Sequence, residues 1–65
     1  MSIKFGDIVV SKSDFPRADG LIFVKGHEFT VMETVEIEGQ ILCDLQDRNF
    51  ERLSWVRQEL LELKV

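Results

Sequence analysis

The two side chains with the chemistry of a nucleophile or a general base are Cys43 and His27, and each is the only residue of its type. One cysteine and one histidine cannot assemble a Cys/His zinc site, and they leave no internal disulfide. Cys43 follows Ile41 and Leu42, the setting of a buried strand residue. His27 follows a glycine, has no evident partner and is interpreted as a turn residue. We therefore expect no enzymatic activity, no metal and no cofactor.

Aromatic and arginine side chains are the remaining candidates, because they could contact a partner. Phe15 and Arg17 flank Pro16, and an exposed ring beside an arginine is typical of protein interfaces; the alternative is that Phe15 folds back onto the domain. Trp55, close to Arg57, is either a surface hot spot or a ring packed over one end of the fold. These four residues are the candidate partner-binding residues of the two segments.

Charge is unevenly distributed, although the net charge is only −4, from 12 acidic and 8 basic side chains. No lysine or arginine occurs between Lys25 and Arg48. Six acidic residues fall there: Glu28, Glu33, Glu36, Glu38, Asp44 and Asp47. The pattern predicts an acidic region, either the solvated face of a hairpin or a docking surface that offers Glu36 and Glu38 to a basic partner. A negative net charge argues against tight binding to a phosphate backbone.

A chain of 65 residues has room for one domain, residues 1–65, and at this size roughly 60% of the unfolded surface can be buried. Hydrophobic residues make up 45% and charged residues 31%, the balance of a folded globular domain. No apolar run approaches the roughly 20 residues of a membrane-spanning helix, and the opening residues lack a signal-peptide pattern. We expect a cytoplasmic domain with no membrane association, as a monomer or a weak homodimer.

Turn residues separate short apolar runs, which is the pattern of an all-β barrel. We expect strands at 3–11, with a bend at Gly6-Asp7, and at 21–24, 28–37 and 41–46. The longest loop is expected at 12–20, with turns at 25–26, 38–39 and 47–49. The strand at 28–37 should bend near Glu33 and place Phe29, Val31, Val35 and Ile37 on one face. The segment from Phe50 is ambiguous, because its apolar residues also recur at helical spacing.

Residues 54–63 resemble the end of a Src-homology-3 (SH3) domain, which has a small residue, an aromatic, a branched apolar residue, proline, two polar residues, tyrosine, and then apolar, polar and apolar residues. Leu-Ile-Phe-Val-Lys-Gly-His at 21–27 is similar to the family's Leu-x-Phe-x-Lys-Gly-Asp segment. The likeness covers 8–63. It implies a five-stranded SH3-like barrel with a single short helical turn at 57–59 and a closing strand at 60–63.

The departures from the family concern its ligand. SH3 domains bind proline-rich PxxP peptides in grooves lined by aromatic rings. The corresponding positions here carry Ser11, Ser13, Gln40, Arg57 and Leu60. The resemblance thus implies a protein-interaction module that does not read PxxP peptides. Small SH3-like proteins of this kind are common in bacteria and bacteriophages, so a phage protein that docks on a host protein is one form of this expectation.

Other functions stay open as alternatives. Gly-Asp-Ile-Val-Val at 6–10 is similar to the first strand of SH3-like barrels in ribosomal and transcription-factor proteins, which suits nucleic-acid binding. Only Phe15 and Trp55 could stack on bases, and the acidic region repels phosphate, so this alternative is less favoured. The opening at 5–10 also looks like that of MazF-type ribonuclease toxins, but this chain is far shorter and lacks their arginine-proline segment. A purely structural role is the last alternative.

Overall fold

A computed structural model describes residues 3–64. Seven strands and one 3₁₀ turn follow one another: β1 (Ile8–Ser11), β2 (Phe15–Pro16), β3 (Ile22–Phe23), β4 (Glu28–Ile37), β5 (Gln40–Gln46), β6 (Arg52–Arg57), the 3₁₀ turn (Gln58–Leu60) and β7 (Leu61–Leu63). The prediction of an all-β fold is confirmed. None of the helical structure within residues 3–64 is long and apolar enough to cross a membrane.

Five strands form one antiparallel sheet in the order β6-β5-β4-β1-β7, and β2 pairs with β3 in a separate small sheet. β1 is hydrogen-bonded on both sides, since Val9 lies opposite Phe29 of β4 and Leu63 of β7. Its consecutive β-branched residues, Ile8, Val9 and Val10, suit this position, because Val9 is fully buried between its neighbours. The last strand is therefore held by the first.

The predicted closed barrel of five strands is wrong in strand number and in closure. β6 and β7 lie at opposite edges of the sheet, and no hydrogen-bonded ladder joins them within residues 3–64. The 3₁₀ turn separates the two strands and redirects the chain toward β1. The predicted loop at 12–20 also contains one strand, β2, which is short because Pro16 has no N–H to donate.

The single helical turn before the last strand is confirmed, and it lies one residue later than expected. A continuous helix from Phe50 does not form, because Leu61 is buried against β1, where it lies opposite Ser11. The first strand begins at Ile8 rather than Ile3. Gly6 provides the predicted bend with a φ of 88° and donates its N–H to the Val31 carbonyl at 2.8 Å.

The predicted bend in β4 is a β-bulge. Val31 lies opposite Leu45 and Glu33 opposite Asp44, so Met32 is an extra residue. An extra residue reverses the alternation of faces that follows it. Consequently the expectation that Val35 and Ile37 share the buried face is wrong, and both are exposed.

The core lies between the large sheet and the β2–β3 hairpin. Its fully buried side chains are Val9, Phe29, Val31, Cys43 and Leu45. Phe15 and Phe23 of the hairpin complete it, with ring centroids 6.5 and 5.1 Å from that of Phe29. The hairpin is thus held on the sheet by aromatic packing.

Candidate interaction surface

The β2–β3 hairpin buries one face and exposes the other. Phe15 and Phe23 lie opposite each other and point into the core, whereas Pro16 and Ile22 form the next pair and face solvent. Three large hydrophobic residues, Leu21, Ile22 and Val24, are 60%, 57% and 62% exposed. The apolar loop face is defined here as Pro16, Leu21, Ile22 and Val24. Exposed apolar residues grouped on one hairpin in this way are typical of a docking surface.

The predicted exposed pair of Phe15 and Arg17 does not form, because Phe15 is buried and folds back onto the core. Arg17 stays partly exposed, and its guanidinium lies 4.9 Å from the centroid of the Phe23 ring. Its Nη2 is 2.9 Å from the Asp19 carboxylate and 3.5 Å from that of Glu51. Arg17 therefore attaches the hairpin to the start of β6 and fixes the position of the apolar loop face.

His27 has a partner, contrary to the expectation from sequence. Its Nε2 is 3.0 Å from Oδ2 of Asp47, and its ring packs against Phe23 and Phe29. The carboxylate of Asp47 is almost completely buried, and its Oδ1 accepts the backbone N–H groups of Asn49 and Glu51 at 2.9 Å each. This pair joins the turn before β4 to the turn before β6.

Burial of Asp47 by itself would raise the pKa of its carboxyl group. The hydrogen bonds from His27 and from the two backbone N–H groups outweigh that effect, so the pKa lies below its ordinary value. Sequence reasoning missed the pair because the partners are 20 residues apart. The available signal was local: aspartate two residues before asparagine in a tight turn favours such backbone hydrogen bonds.

A basic cleft lies next to the apolar loop face and shares Val24 with it. The cleft has a volume of about 500 Å³ and is lined by Val24, Lys25, Gly26, His27, Glu28 and Arg48. Lys64 forms an ion pair with Glu28, and this contact lowers the pKa of the Glu28 carboxyl group. Glu28, the acidic residue among the described residues that line the cleft, is therefore already engaged in an ion pair.

The predicted acidic region is smaller than expected. Asp44 and Asp47 are buried, because Arg52 and Ser54 hold the Asp44 carboxylate and His27 holds that of Asp47. The acidic residues left exposed in the segment are Glu33, Glu36 and Glu38. Glu36 and Glu38 are thus placed where a basic partner could reach them.

Two exposed aromatic residues have left-handed backbone conformations. Phe50 has a φ of 64° and is 79% exposed, and Trp55 has a φ of 61° and is 48% exposed. A positive φ is an outlier for a bulky residue and costs of order 1–3 kcal/mol. Trp55 lies at an irregularity of the β5–β6 pairing, next to Val56, which faces Cys43. Trp55 is half-exposed, and Arg57 is exposed on the same strand.

Cys43 is fully buried in β5, as expected from sequence. Burial raises the pKa of its thiol, which keeps it protonated and unreactive. The predicted partner-binding residues lie on three elements: Phe15 and Arg17 on the hairpin, Trp55 and Arg57 on β6, and Glu36 and Glu38 at the β4–β5 turn. They do not form one cluster of contacting side chains.

No protein-family model, no curated protein and no solved structure matches this chain.

Proposed function

We propose that this domain is a non-enzymatic protein-interaction module of SH3-like fold that docks on a cytoplasmic partner protein through the apolar loop face. The observation that carries the proposal is the exposure of Leu21, Ile22 and Val24 on a hairpin whose other face is anchored in the core. Single exposed hydrophobic residues are normal in proteins, but a contiguous group rimmed by polar residues is typical of an interface. The hairpin is also preorganised by Arg17, which lowers the entropic cost of docking.

Strand order supports the SH3-like part of the proposal. The first strand pairs with the last, a single 3₁₀ turn comes immediately before that last strand, and the long first loop folds back over the core. The closing strand and the short helical turn before it are features that the family resemblance implies for residues 8–63. On the same resemblance, a bacteriophage protein that docks on a host protein is one setting for such a module.

The residues at the positions of the SH3 peptide groove support a ligand other than PxxP. Ser11 is buried, and its hydroxyl donates to the Val24 carbonyl and accepts the His27 N–H. Gln40, Arg57 and Leu60 are exposed but offer no aromatic ring. Stacking on a polyproline helix requires such rings.

Substitution of Ile22→Asp tests the docking face, with Ile37→Asp as the matched control, since both isoleucines are exposed by similar fractions. We expect I22D to lose a partner captured from a bacterial lysate, because a charge interrupts the apolar contact, and I37D to retain it. Capture is read by mass spectrometry, and folding of both variants by circular dichroism. Partner loss with I37D alone would instead favour docking at the β4–β5 turn through Glu36 and Glu38. Recovery abolished by nuclease would favour the nucleic-acid alternative.

A further inference from the structure

We infer that the partner of this module presents an acidic segment, which binds in the basic cleft while a neighbouring apolar residue of the same segment contacts Val24. The inference rests on the proposed function and adds the chemical class of the partner. The cleft and the apolar loop face are continuous, because Val24 belongs to both. One extended segment can therefore contact both surfaces.

The walls of the cleft are fixed by backbone contacts. Gly26 donates its N–H to the Ser11 carbonyl at 2.8 Å, and His27 donates to the Val24 carbonyl at 3.0 Å. The opposite wall is the turn that carries Arg48, closed by a hydrogen bond from the Phe50 N–H to the Asp47 carbonyl at 3.1 Å. The contact between His27 and Asp47 joins the two walls. The cleft is therefore formed before any ligand arrives.

Among residues 3–64, Lys25 and Arg48 are the two cationic side chains that line the cleft without an ion pair. Arg17, Arg52 and Lys64 each form an ion pair, whereas neither Lys25 nor Arg48 does so with any residue in 3–64. The carboxylate of Glu28 is paired with Lys64, although Arg48 also acts on it electrostatically. Asp14 accepts the Lys25 backbone N–H at 2.7 Å, so its carboxylate lies at the edge of the cleft. Two free cations in a concave site attract a carboxylate-bearing ligand more strongly than the same charges would on a convex surface.

An acidic protein segment fits the cleft better than a nucleic acid does. A long phosphate backbone would meet the field of the whole molecule, whose net charge is −4, and the exposed Glu33, Glu36 and Glu38. A short segment needs only local complementarity.

Titration of the isotopically labelled domain with a short synthetic peptide of alternating aspartate and leucine tests this inference. The comparison probes are the peptide with lysine in place of aspartate and a single-stranded oligothymidylate. We expect saturable shifts of the Val24–Glu28 and Arg48 amide signals with the acidic peptide alone, and an affinity that falls about tenfold at high salt. No shift at these amides, equal binding of the lysine peptide, or tighter binding of oligothymidylate would overturn the inference.

The variant Lys25→Glu has a matched control in Lys4→Glu, an exposed lysine that does not line the cleft. We expect K25E to weaken the acidic peptide by about tenfold and K4E to change it by less than about twofold, with both folds intact by circular dichroism. Equal weakening by both variants would overturn the inference, since it would reflect net charge alone.

In the partner-capture assay, loss of the partner with I22D but not with K25E would leave the proposed function standing and refute the acidic segment. Partner capture that is unchanged by I22D would refute the docking face. The peptide titration would then still show whether the cleft binds an acidic segment.

Discussion

Asp47 contacts both a side chain from a distant turn and the backbone of its own turn. Its buried carboxylate accepts a hydrogen bond from the His27 ring and two from the backbone of its own turn. Loss of these bonds would leave the backbone N–H groups of Asn49 and Glu51 without their acceptor. A buried polar group that loses its partner costs more than the bond itself contributes, because its desolvation is no longer offset.

Acid should remove the stabilisation that Asp47 supplies. Since its pKa is lowered by folding, the contribution is fully present above its ordinary value near 3.8 and is lost as the pH falls through the lower folded value. Asparagine keeps one acceptor oxygen but loses the charge that strengthens these hydrogen bonds and the second carboxylate oxygen that contacts His27. We therefore expect Asp47→Asn to destabilise the domain at neutral pH by about 1–3 kcal/mol and to match the wild type at the acid end of the titration. Urea unfolding across this pH range measures the effect, with the exposed Glu62→Gln as control. A gap that is constant with pH would contradict this assignment.

Phe50 has an unfavourable positive φ, and its exposed ring contributes little packing to offset the strain. Substitution of Phe50→Gly should raise the free energy of unfolding by about 1 kcal/mol, because glycine adopts a positive φ without strain and the ring is exposed. Phe5→Gly is the matched control, an exposed phenylalanine with an ordinary φ, and should be neutral or destabilising. Thermal unfolding monitored by circular dichroism compares the two. Destabilisation by F50G would mean that the ring contributes packing.

At the scale of the element, the turn at 24–27 sets one wall of the basic cleft. Gly26 has a φ of 89°, and a β-carbon there would meet no atom within 4 Å, so the cost of a side chain is conformational only. Gly39 has a φ of 81° and is equally open, in the two-residue turn between β4 and β5. The two glycines are thus matched in conformation and differ in location.

We expect Gly26→Ala and Gly39→Ala each to lower the free energy of unfolding by about 1 kcal/mol. G26A alone should shift the amide signals of His27 and Arg48, because it strains the wall of the cleft. Chemical denaturation and amide spectra of the two variants provide the measurement. Equal shifts of these signals in G39A would show that the cleft is not a local structure.

Elements with a clear local pattern were predictable from sequence. The bounds of β4 and the Glu38-Gly39 turn agree with prediction, since alternation and turn chemistry are encoded by neighbours. The exposure of Val35 was not predicted, because the sequence indicated a bend near Glu33 but not that the bend contains an extra residue, Met32, which reverses the faces. The cleft was not predicted either, because Lys25 and Arg48 are far apart in the sequence and line one cleft only in the folded structure.

At the scale of the whole molecule, the core is small. Leu45 is fully buried and belongs to the single cluster that joins the sheet to the hairpin. We expect Leu45→Ala to cost about 2–5 kcal/mol, comparable with the total stability of a small domain, and therefore to unfold much of the population at 37 °C. Leu60→Ala, at a 40% exposed leucine, is the control and should remain folded. A folded L45A domain by near-ultraviolet circular dichroism would contradict this prediction.

Basic and acidic side chains lie toward opposite ends of β4. The basic cleft lies at the start of β4, and Glu33, Glu36 and Glu38 lie toward its other end. The strand spans roughly 30 Å, a distance at which salt screens the two ends from each other. A partner with an acidic segment would therefore be steered to one end, in an orientation that the net charge of −4 does not reveal.

The complete burial of Cys43 has a practical meaning for the folding equilibrium. An alkylating reagent can reach the sulfur atom only when β5 separates from its neighbours. The modification rate therefore reports the fraction of molecules that are transiently open. A ligand that binds only the closed form lowers the modification rate in proportion to its occupancy. The wild-type chain thus carries its own chemical reporter of binding, at a position that no partner needs to touch.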